Sequence, residues 1–198
     1  MTELSPVSHI GPFGNEKYGA VGKMIPNIEC KLAPGTDELC VRGPNVMKGY
    51  LNNEEATREC IDADGFMHTG DVARVDEEGY FYIVDRLKEL IKVKGFQVAP
   101  AEVEAALMAH EQLLDAAVIG VPAASVGGRE TDGEAVAAYV VLKDKDNAAG
   151  LTAEQVIEFA AEKMASYKRI ARVSFVAAIP KSAAGKILRK EIRAGKLD

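Results

Sequence analysis

Four cations lie close together around one glutamate in the middle of the chain. They are Arg86, Lys88, Lys92 and Lys94. Gly95 follows the last of them, and because glycine has no Cβ, neighbouring backbone N–H and ammonium groups can approach a phosphate or a thiol ligand closely. The same pattern fits a surface hairpin with solvated lysines, which is the more common meaning of a short Lys-x-Lys-Gly sequence. The longer sequence around it must decide between the two.

Other residue types that often carry chemistry show no catalytic spacing. Histidines occur at positions 9, 68 and 110 and cysteines at 30, 40 and 60. They lack the close Cys and His spacing of a zinc site, so the sequence does not predict one. We interpret His68 as structural. The absence of a Gly-x-Ser-x-Gly elbow and of a histidine partner for Ser182 disfavours a hydrolase.

Five longer blocks of sequence follow one another along the chain. They are MTE (1–3), ELCVRGPNVMKGYLNNEEAT (38–57), HTGD (68–71), GYFYIVDRLKELIKVKGFQVAPAEVEAAL (79–107) and IPKSAAGKILRKEIR (179–193). In this order they resemble the acyl-adenylate-forming enzymes of the AMP-binding superfamily, and most of all the 4-coumarate–CoA ligases and their luciferase-like relatives. The resemblance covers essentially the whole chain. It therefore favours a ligand-binding role for the basic segment over a surface hairpin with solvated lysines.

The resemblance implies an ATP-dependent carboxylic acid:CoA ligase. In that reaction the acid is activated on ATP with Mg²⁺ as acyl-AMP, and CoA then displaces AMP. The MTE block normally lies far inside such enzymes, so we expect this chain to be a C-terminal portion. The family's phosphate loop and most of the acyl and adenine pockets would then be missing, and the isolated chain would be inactive.

Five residues match the family's nucleotide site. Thr2 matches a hydroxyl that bonds the adenylate phosphate, and Glu3 matches the Mg²⁺ carboxylate, a hard ligand for a hard cation. Asp71 matches the carboxylate that holds the ribose hydroxyls, and Arg86 matches a second ribose or phosphate contact. Ile83 matches a residue beside the adenine, although a core strand position explains it equally well.

Three residues match positions that serve the adenylate. Lys186 matches the lysine that contacts the carboxylate and the α-phosphate, and Lys92 and Gln97 match positions that line the adenylate. A positioned cation suits this step because nucleotidyl transfer depends mainly on charge stabilisation. On an isolated Gly-Lys pair, the more common interpretation would be a solvated lysine in a basic tail.

The remaining matches concern movement and the thiol. Lys88 matches the hinge about which the family turns its small domain, and Lys94 and Gly95 match the pair that contacts CoA. A simpler alternative exists for Arg86, which could pair with Asp85 at a strand end, an interaction worth little at a surface.

Bulk properties limit the partners. With 198 residues and a net charge of -6, the chain can bury a core but lacks the basic face that nucleic acid binding needs. No apolar run approaches the roughly 20 residues that span a bilayer. An odd number of cysteines without a secretory leader favours reduced thiols and a cytoplasmic location. The sequence predicts no oligomeric state.

Residues 1–86 are expected to form a β-rich remnant of the family's large-domain barrel. Pro34 and Gly35 separate two short apolar runs at 28–32 and 38–41, which predicts a hairpin. Asn53 is an expected N-cap of a short helix. Asp37 stands where relatives usually carry glycine. The expected strands at 72–75 and 80–84, the second of them buried, form another hairpin.

Residues 87–198 are expected to form an α+β lid, with the helices on one side of a sheet. The expected elements are a helix at 101–110, strands at 116–121 and 135–142, a helix from a capping box at Thr152 to residue 164, a strand at 173–179 and a helix at 187–193. The loop at 123–133 is longer than is usual in the family.

Three functional readings remain open. The first is an acid:CoA ligase, and the second is a luciferase-like oxidative enzyme, which shares the lid. The third is an inactive lid that serves as an interaction module. An adenylation domain that loads a carrier protein is less favoured, because the motif sequences are most similar to those of free-standing CoA ligases.

Overall fold

The computed structural model describes residues 1–143 and 150–197. The chain divides into two compact units, Met1–Lys88 and Glu89–Asp198, which we call unit 1 and unit 2. The sequence analysis placed its boundary two residues earlier, after residue 86. The mixed α+β class expected from the sequence is confirmed in the described residues. No helix of this described part is long and apolar enough to cross a membrane.

Unit 1 is built on a four-stranded antiparallel sheet. Its elements are β1 (His9–Ile10), β2 (Lys23–Met24), β3 (Glu29–Leu32), β4 (Glu38–Arg42), α1 (Glu54–Cys60), β5 (Met67–Val75) and β6 (Phe81–Arg86). The sheet order is β3-β4-β5-β6, and β1 and β2 form a separate ribbon. The sheet is open in the described residues, with β3 and β6 at its edges, and is not itself a closed barrel.

The local predictions for unit 1 are mostly confirmed. β3 and β4 pair antiparallel, and so do β5 and β6. The Asn53 side chain accepts a hydrogen bond from the Ala56 N–H and caps α1. Asp37 has a φ of 53°, so the family's glycine at this position is explained by a left-handed backbone, which aspartate tolerates.

The expected buried strand at 80–84 is wrong in two respects. The strand begins at Phe81 and continues through the charged residues to Arg86, and none of its residues is fully buried. Tyr80, which is fully buried, precedes it. The aromatic run therefore reflects one buried tyrosine and a half-buried strand, because β6 pairs with β5 along its length and on its other side only through a bridge between Phe81 and Gly22.

Unit 2 contains a β-hairpin, a three-stranded sheet and three α-helices. Its elements are β7 (Ile91–Val93), β8 (Phe96–Val98), α2 (Pro100–Met108), β9 (Leu113–Pro122), β10 (Glu134–Leu142), α3 (Ala153–Ala161), β11 (Ile170–Phe175) and α4 (Arg189–Arg193). β10 is the central strand, antiparallel to β9 and parallel to β11. Thr152 forms the expected capping box.

Both faces of this sheet are covered, which corrects the one-sided arrangement expected from the sequence. On one face, Val118 and Val140 pack with Val103 of α2 and Val156 of α3. We call this the α2/α3 face. On the other, residues of β9 and β10 pack with the segment around Ile179 and with Ile192 of α4. We call this the α4 face.

Several boundaries in unit 2 differ from the sequence prediction, including those of α2, which ends at Met108 instead of residue 110, and of α4, which begins at Arg189 instead of residue 187. The last strand occupies 170–175 rather than 173–179, because Ile179 packs against the α4 face instead of extending the sheet. α3 ends at Ala161, short of residue 164. Met108, the last residue of α2, is 44% exposed. The long loop at 123–133 holds two short 3₁₀ turns, Ala123–Val126 and Glu130–Asp132.

Candidate functional site

A cavity of about 280 Å³ in unit 1 brings together several residues of the expected nucleotide site. Asp71 and Ile83 line it, together with Met1 and Leu4 on either side of Thr2 and Glu3. Ile83 is 38% exposed, so it is available to a ligand and is not a core residue. The cavity is lined mainly by apolar side chains with one carboxylate, which suits a planar ring attached to a polyol.

Asp71 and Arg86 are directly opposite each other in the β5–β6 pairing. The Arg86 Nε lies 2.7 Å from the Asp71 Oδ1. The structure therefore joins two residues that the sequence assigned separately to the same sugar. The Asp85 carboxylate instead accepts a hydrogen bond from the Arg86 backbone N–H.

Three residues that the sequence analysis did not assign to the site hold the loop that carries Asp71. The Thr69 hydroxyl accepts from the Asp71 N–H at 3.1 Å and donates to the Leu39 carbonyl at 2.7 Å. Glu38 accepts from the Gly70 N–H at 2.9 Å, and its other oxygen lies 2.8 Å from His68 Nδ1. This contact agrees with a structural role for His68. The sequence feature that could have identified Glu38 is its position as a charged residue at the start of an apolar strand.

The first residues of the chain are ordered around Leu4. Thr2–Leu4 forms a 3₁₀ turn, and Leu4 is buried in the unit 1 core. The Tyr50 hydroxyl donates to the Glu3 carboxylate at 3.1 Å. A hydrogen bond within Glu3 to its own backbone and the Tyr50 bond lower the pKa of Glu3, so the side chain is ionised at neutral pH. An ionised, accessible carboxylate fits Mg²⁺, which needs only one or two protein carboxylates beside phosphate oxygens.

In unit 2, Lys94 and Gly95 form the tip of the β7–β8 hairpin. Their φ values are 48° and 87°, which is the pattern of a type I′ turn. The hairpin considered as the simpler alternative is thus the observed local structure, and the glycine is explained by the turn. Nothing lies within 4 Å of a Cβ placed at Gly95. Close approach of the backbone to a ligand therefore remains possible at this position.

Lys92 and Gln97 form a cross-strand pair in the same hairpin. Both are exposed. Side chains directly opposite one another in a sheet project from the same face. The two residues expected to line the adenylate therefore lie side by side.

A second cavity, of about 390 Å³, lies beside the hairpin tip. Lys94, Asp132, Tyr167 and Arg169 are among its lining residues. The Lys94 Nζ lies 3.9 Å from the Asp132 carboxylate. The pKa of that carboxylate is lowered, first by a hydrogen bond from the Arg129 backbone and also by the charge of Lys94. This cavity combines a cation with aromatic and apolar surface.

Lys186 is exposed at the end of a tight turn. The Ser182 and Lys186 backbones hydrogen-bond to each other, and the Lys186 N–H also donates to the Ser182 hydroxyl. Gly185 has a φ of 77° within this turn. The turn that contains this glycine is closed by these hydrogen bonds.

Arg189 fixes the Lys186 turn to the body of unit 2. Its guanidinium lies 2.7 Å from the Glu104 carboxylate and donates to the Val118 carbonyl at 3.1 Å. The two side chains are only 12% and 14% exposed. Removing one partner of such a pair would leave a charge that is largely buried, which is strongly destabilising.

Lys94 and Lys186 are attached to opposite faces of the unit 2 sheet. The hairpin below Lys94 packs through Ile91 and Val98 into the cluster on the α2/α3 face. Ile187, next to Lys186, packs against the cluster on the α4 face. The residues that anchor the two lysines therefore pack on opposite faces of one sheet.

Lys88 is exposed in a single 3₁₀ turn, Leu87–Glu89, which separates β6 from β7. Glu89 accepts from Arg193 of α4 at 2.9 Å. No α-helix of the described chain runs through this turn. The segment expected to act as a hinge is therefore one short turn between two strands.

Comparison with known proteins extends over nearly the whole chain. Residues 102–186 match the AMP-binding enzyme C-terminal domain. The chain is 44% identical over 203 residues to the probable 4-coumarate–CoA ligase 3 of Dictyostelium discoideum, covering 97% of this chain and 35% of the relative. It is 46% identical over 209 residues to 4-coumarate–CoA ligase 5 of Oryza sativa subsp. japonica, covering 98% and 37%.

Solved structures agree with these relatives. The fold is similar to ATP-bound MatB from Rhodopseudomonas palustris, with a TM-score of 0.84 and 33% identity over 98% of this chain and 39% of that protein. It is also similar to o-succinylbenzoate CoA synthetase from Bacillus subtilis in complex with AMP, with a TM-score of 0.78, 30% identity and the same coverage. The chain spans about a third of the length of the curated relatives it matches. Residues 102–186 therefore belong to the AMP-binding enzyme C-terminal domain family, and the chain is a C-terminal counterpart of the CoA ligases and synthetases that it resembles.

Proposed function

We propose that the chain supplies the ribose-binding edge and the lid of an ATP-dependent, AMP-forming carboxylic acid:CoA ligase of the 4-coumarate–CoA ligase type. The observation that carries the proposal is the attachment of Lys94 and Lys186 to opposite faces of one small sheet. Two successive half-reactions with different nucleophiles need two sets of cations at one reacting centre. The phosphate loop and the acyl pocket would be supplied by the part of the relatives that this chain does not match.

In the nucleotide site, Asp71 would accept hydrogen bonds from the two ribose hydroxyls. Arg86 holds the Asp71 carboxylate at 2.7 Å and would orient it toward the sugar. Ile83 would contact the adenine from the wall of the same cavity. Thr2 would bond the phosphate, and Glu3 would hold Mg²⁺. When bound, Mg²⁺ neutralises phosphate charge.

In the first half-reaction a carboxylate oxygen attacks the α-phosphorus of ATP, the bond to the bridging oxygen breaks and pyrophosphate leaves. Negative charge is concentrated at the α-phosphate in the transition state. The Lys186 ammonium would stabilise that charge, and Lys92 and Gln97 would line the resulting acyl-adenylate. Preorganised charge of this kind is commonly the largest contribution to such catalysis.

In the second half-reaction the sulfur of CoA attacks the acyl carbon, AMP leaves and the thiol proton passes to solvent. The tip formed by Lys94 and Gly95 would contact CoA. We propose that unit 2 turns about Lys88 between the two half-reactions. The short Leu87–Glu89 turn supports this, because a hinge needs only a few residues outside long regular elements to absorb the backbone rotation.

The acid is proposed to be an aromatic, cinnamate-type carboxylic acid, as the relatives' names state for those proteins. A cytoplasmic location belongs to the same proposal. It is supported by three cysteines that are free of disulfide bonds.

A graft tests the proposal. The corresponding C-terminal third of a 4-coumarate–CoA ligase relative is replaced by these 198 residues, and acid-dependent ATP–pyrophosphate exchange and thioester formation are measured. Both activities should be retained at a level comparable with the parent enzyme. The 198 residues alone should show no exchange. A well-folded graft without either activity would contradict the proposal, as would robust exchange by the isolated chain.

Lys186→Ala in this graft tests the division of labour. Adenylate formation should fall by about 100- to 1,000-fold, because a charge aimed at the transition state is lost. Release of AMP from a supplied acyl-adenylate by CoA should be nearly unchanged. The matched control is Lys190→Ala, which removes an exposed cation four residues away. Equal loss of both half-reactions in Lys186→Ala would show that the lysines do not act in turn.

A further inference from the structure

We propose that Glu38, Cys40 and His68 form a binding site for a borderline-soft divalent cation, with Zn²⁺ as the ion that fits best. Cys40 and His68 are direct partners in the β4–β5 pairing. Glu38, two residues before Cys40, reaches the same histidine, with its carboxylate 2.8 Å from His68 Nδ1. One ligand-type atom from each residue lies within 4.8 Å of the other two. No spacing along the chain indicates this site, because its ligands come from neighbouring strands.

The geometry is close to that of a tetrahedral site. Cys40 Sγ lies 3.6 Å from His68 Nδ1. A zinc ion bound to one sulfur and one imidazole nitrogen with tetrahedral angles places these atoms about 3.5 Å apart. The 2.8 Å contact between His68 Nδ1 and Glu38 would have to widen by about 0.5 Å. A small change in the Glu38 side-chain torsions is sufficient for that.

The other ring nitrogen of His68 faces a carboxylate. Asp62 Oδ2 lies 3.6 Å from His68 Nε2. Metal-binding histidines usually present their second nitrogen to a carboxylate, which orients the ring and strengthens the ligand. Asp62 is itself held by hydrogen bonds from the Asp64 and Phe66 backbones to its other oxygen. The supporting residue is therefore already positioned.

The charges also balance. The Glu38 carboxylate and a Cys40 thiolate together neutralise a divalent cation, and Lys31, 3.3 Å from Asp62, neutralises that second carboxylate. A neutral set of charges suits a half-buried position, where an uncompensated charge is costly. On coordination the thiol proton passes to solvent.

The ligand types select the class of ion. Sulfur and imidazole favour Zn²⁺, Co²⁺ and Cd²⁺, whereas Mg²⁺ and Ca²⁺ prefer sites made of oxygen atoms. Cys40 is fully buried, but the His68 side chain is 34% exposed, so an ion can enter from the histidine side. A water molecule would complete the coordination of these three protein ligands.

Cobalt is the probe, because a cobalt–thiolate bond gives a near-ultraviolet charge-transfer absorption. The 198-residue chain, freed of any affinity tag and treated with chelator, is titrated with Co²⁺ and then with Zn²⁺. We expect saturation at one equivalent of Co²⁺ and displacement by Zn²⁺. Absence of a saturable charge-transfer band at micromolar to millimolar Co²⁺ would overturn the proposal.

Three variants identify the site. Cys40→Ser should remove the charge-transfer band, whereas the matched control Cys60→Ser should keep it. Asp62→Asn retains the turn but loses the charge, and should weaken Zn²⁺ binding by about 10- to 100-fold. If Cys40→Ser fails to fold, as judged by circular dichroism, His68→Gln replaces it and should weaken Zn²⁺ binding by more than Asp62→Asn does. A band that survives Cys40→Ser in a folded chain, or an unchanged Zn²⁺ affinity in His68→Gln, would place the metal elsewhere and refute the assignment.

Discussion

At the scale of single residues, Asp71 owes its position to its neighbours. Thr69 and Glu38 fix the backbone around it, and Arg86 holds its side chain from the facing strand. Each of these contacts uses a group that is placed by the pairing of β4, β5 and β6. In the proposed nucleotide site, this support would make Asp71 a preorganised acceptor for the two ribose hydroxyl groups.

The first prediction concerns Asp71→Ala in the grafted enzyme. Hydrogen bonds to a charged group contribute about 1.5–3 kcal/mol, so the KM for ATP should rise by roughly 10- to 100-fold. The KM for CoA should stay within about twofold of the unmodified graft. The control is Glu77→Ala, which removes an exposed carboxylate from the β5–β6 turn. The measurement is steady-state kinetics with each substrate varied in turn. An unchanged KM for ATP would show that Asp71 does not bind the nucleotide.

At the scale of elements, the β7–β8 hairpin combines a conformational requirement with a charge. Lys94 and Gly95 both have positive φ, so the turn constrains the residue types that can occupy them. The lysine pays a small conformational cost there, since asparagine and glycine are the residues that accept this region most readily. A lysine at a position whose backbone conformation disfavours lysine is consistent with the proposed contact to CoA.

Lys94→Asn and Gly95→Ala separate these two requirements. Lys94→Asn should leave thermal stability unchanged or slightly raised and should slow the CoA half-reaction of the graft by about tenfold or more, because a charge-assisted contact of about 1.5–3 kcal/mol is lost. Gly95→Ala should lower the stability of the 198-residue chain by about 1–2 kcal/mol, because alanine is strained at this φ. Thermal unfolding and thiolysis rates are the measurements. A fast thiolysis in Lys94→Asn would mean that the lysine serves only the turn.

The β5–β6 turn contains the clearest pH-dependent element. The Lys17 ammonium, 2.9 Å away, lowers the pKa of Asp76 to about 2, and hydrogen bonds from the Tyr80 backbone and the Tyr82 hydroxyl add to the effect. Because the pKa of Asp76 is lower in the folded than in the unfolded chain, this carboxylate stabilises the folded state above about pH 4. That stabilisation disappears as the pH falls from about 4 to about 2.

Asp76→Asn tests the direction of this pH dependence of stability. The variant should be less stable than the natural chain at pH 6, and the difference should shrink as the pH falls from 4 toward 2. Urea unfolding of both chains over this range, followed by circular dichroism, is the measurement. The control is Glu77→Gln in the same turn, which should show a small and nearly constant difference. A gap between Asp76→Asn and the natural chain that widened in acid would contradict the ion pair with Lys17.

At the scale of the whole molecule, the buried hydrophobic clusters of unit 1 and unit 2 are separate. Unit 1 is organised around Leu39, Val41 and Met67. Unit 2 has two clusters, one on each face of its sheet, and β9 contributes alternately to both through Val118 and Ile119. A residue on either face of β9 should therefore affect unit 2 as a whole.

Ile119→Ala tests this organisation. Ile119 is 1% exposed, and deleting it should lower the free energy of unfolding of unit 2 by about 2–5 kcal/mol. Hydrogen exchange measured by mass spectrometry should become faster in β9, β10 and β11 and stay unchanged in β4 and β5. The exposed control is Leu114→Ala, which is expected to have little effect because Leu114 is 56% exposed. Equal acceleration in both units would show that they unfold together.

The sequence by itself determined the family, the α+β class and most local elements. Residues that act through short-range chemistry were the ones identified correctly, such as the Asn53 cap, the Thr152 capping box and the two hairpins of unit 1. Each of these depends on neighbours within a few positions along the chain, so its signal is contained in a short stretch of sequence.

Only the tertiary structure decided which distant residues meet. The pairing of β5 with β6 joined Asp71 to Arg86, and the pairing of β4 with β5 assembled Glu38, Cys40 and His68. The covering of both sheet faces in unit 2 moved Ile179 out of the strand expected for it and placed Lys94 and Lys186 apart. Strand register and helix placement depend on long-range packing, which no local pattern specifies.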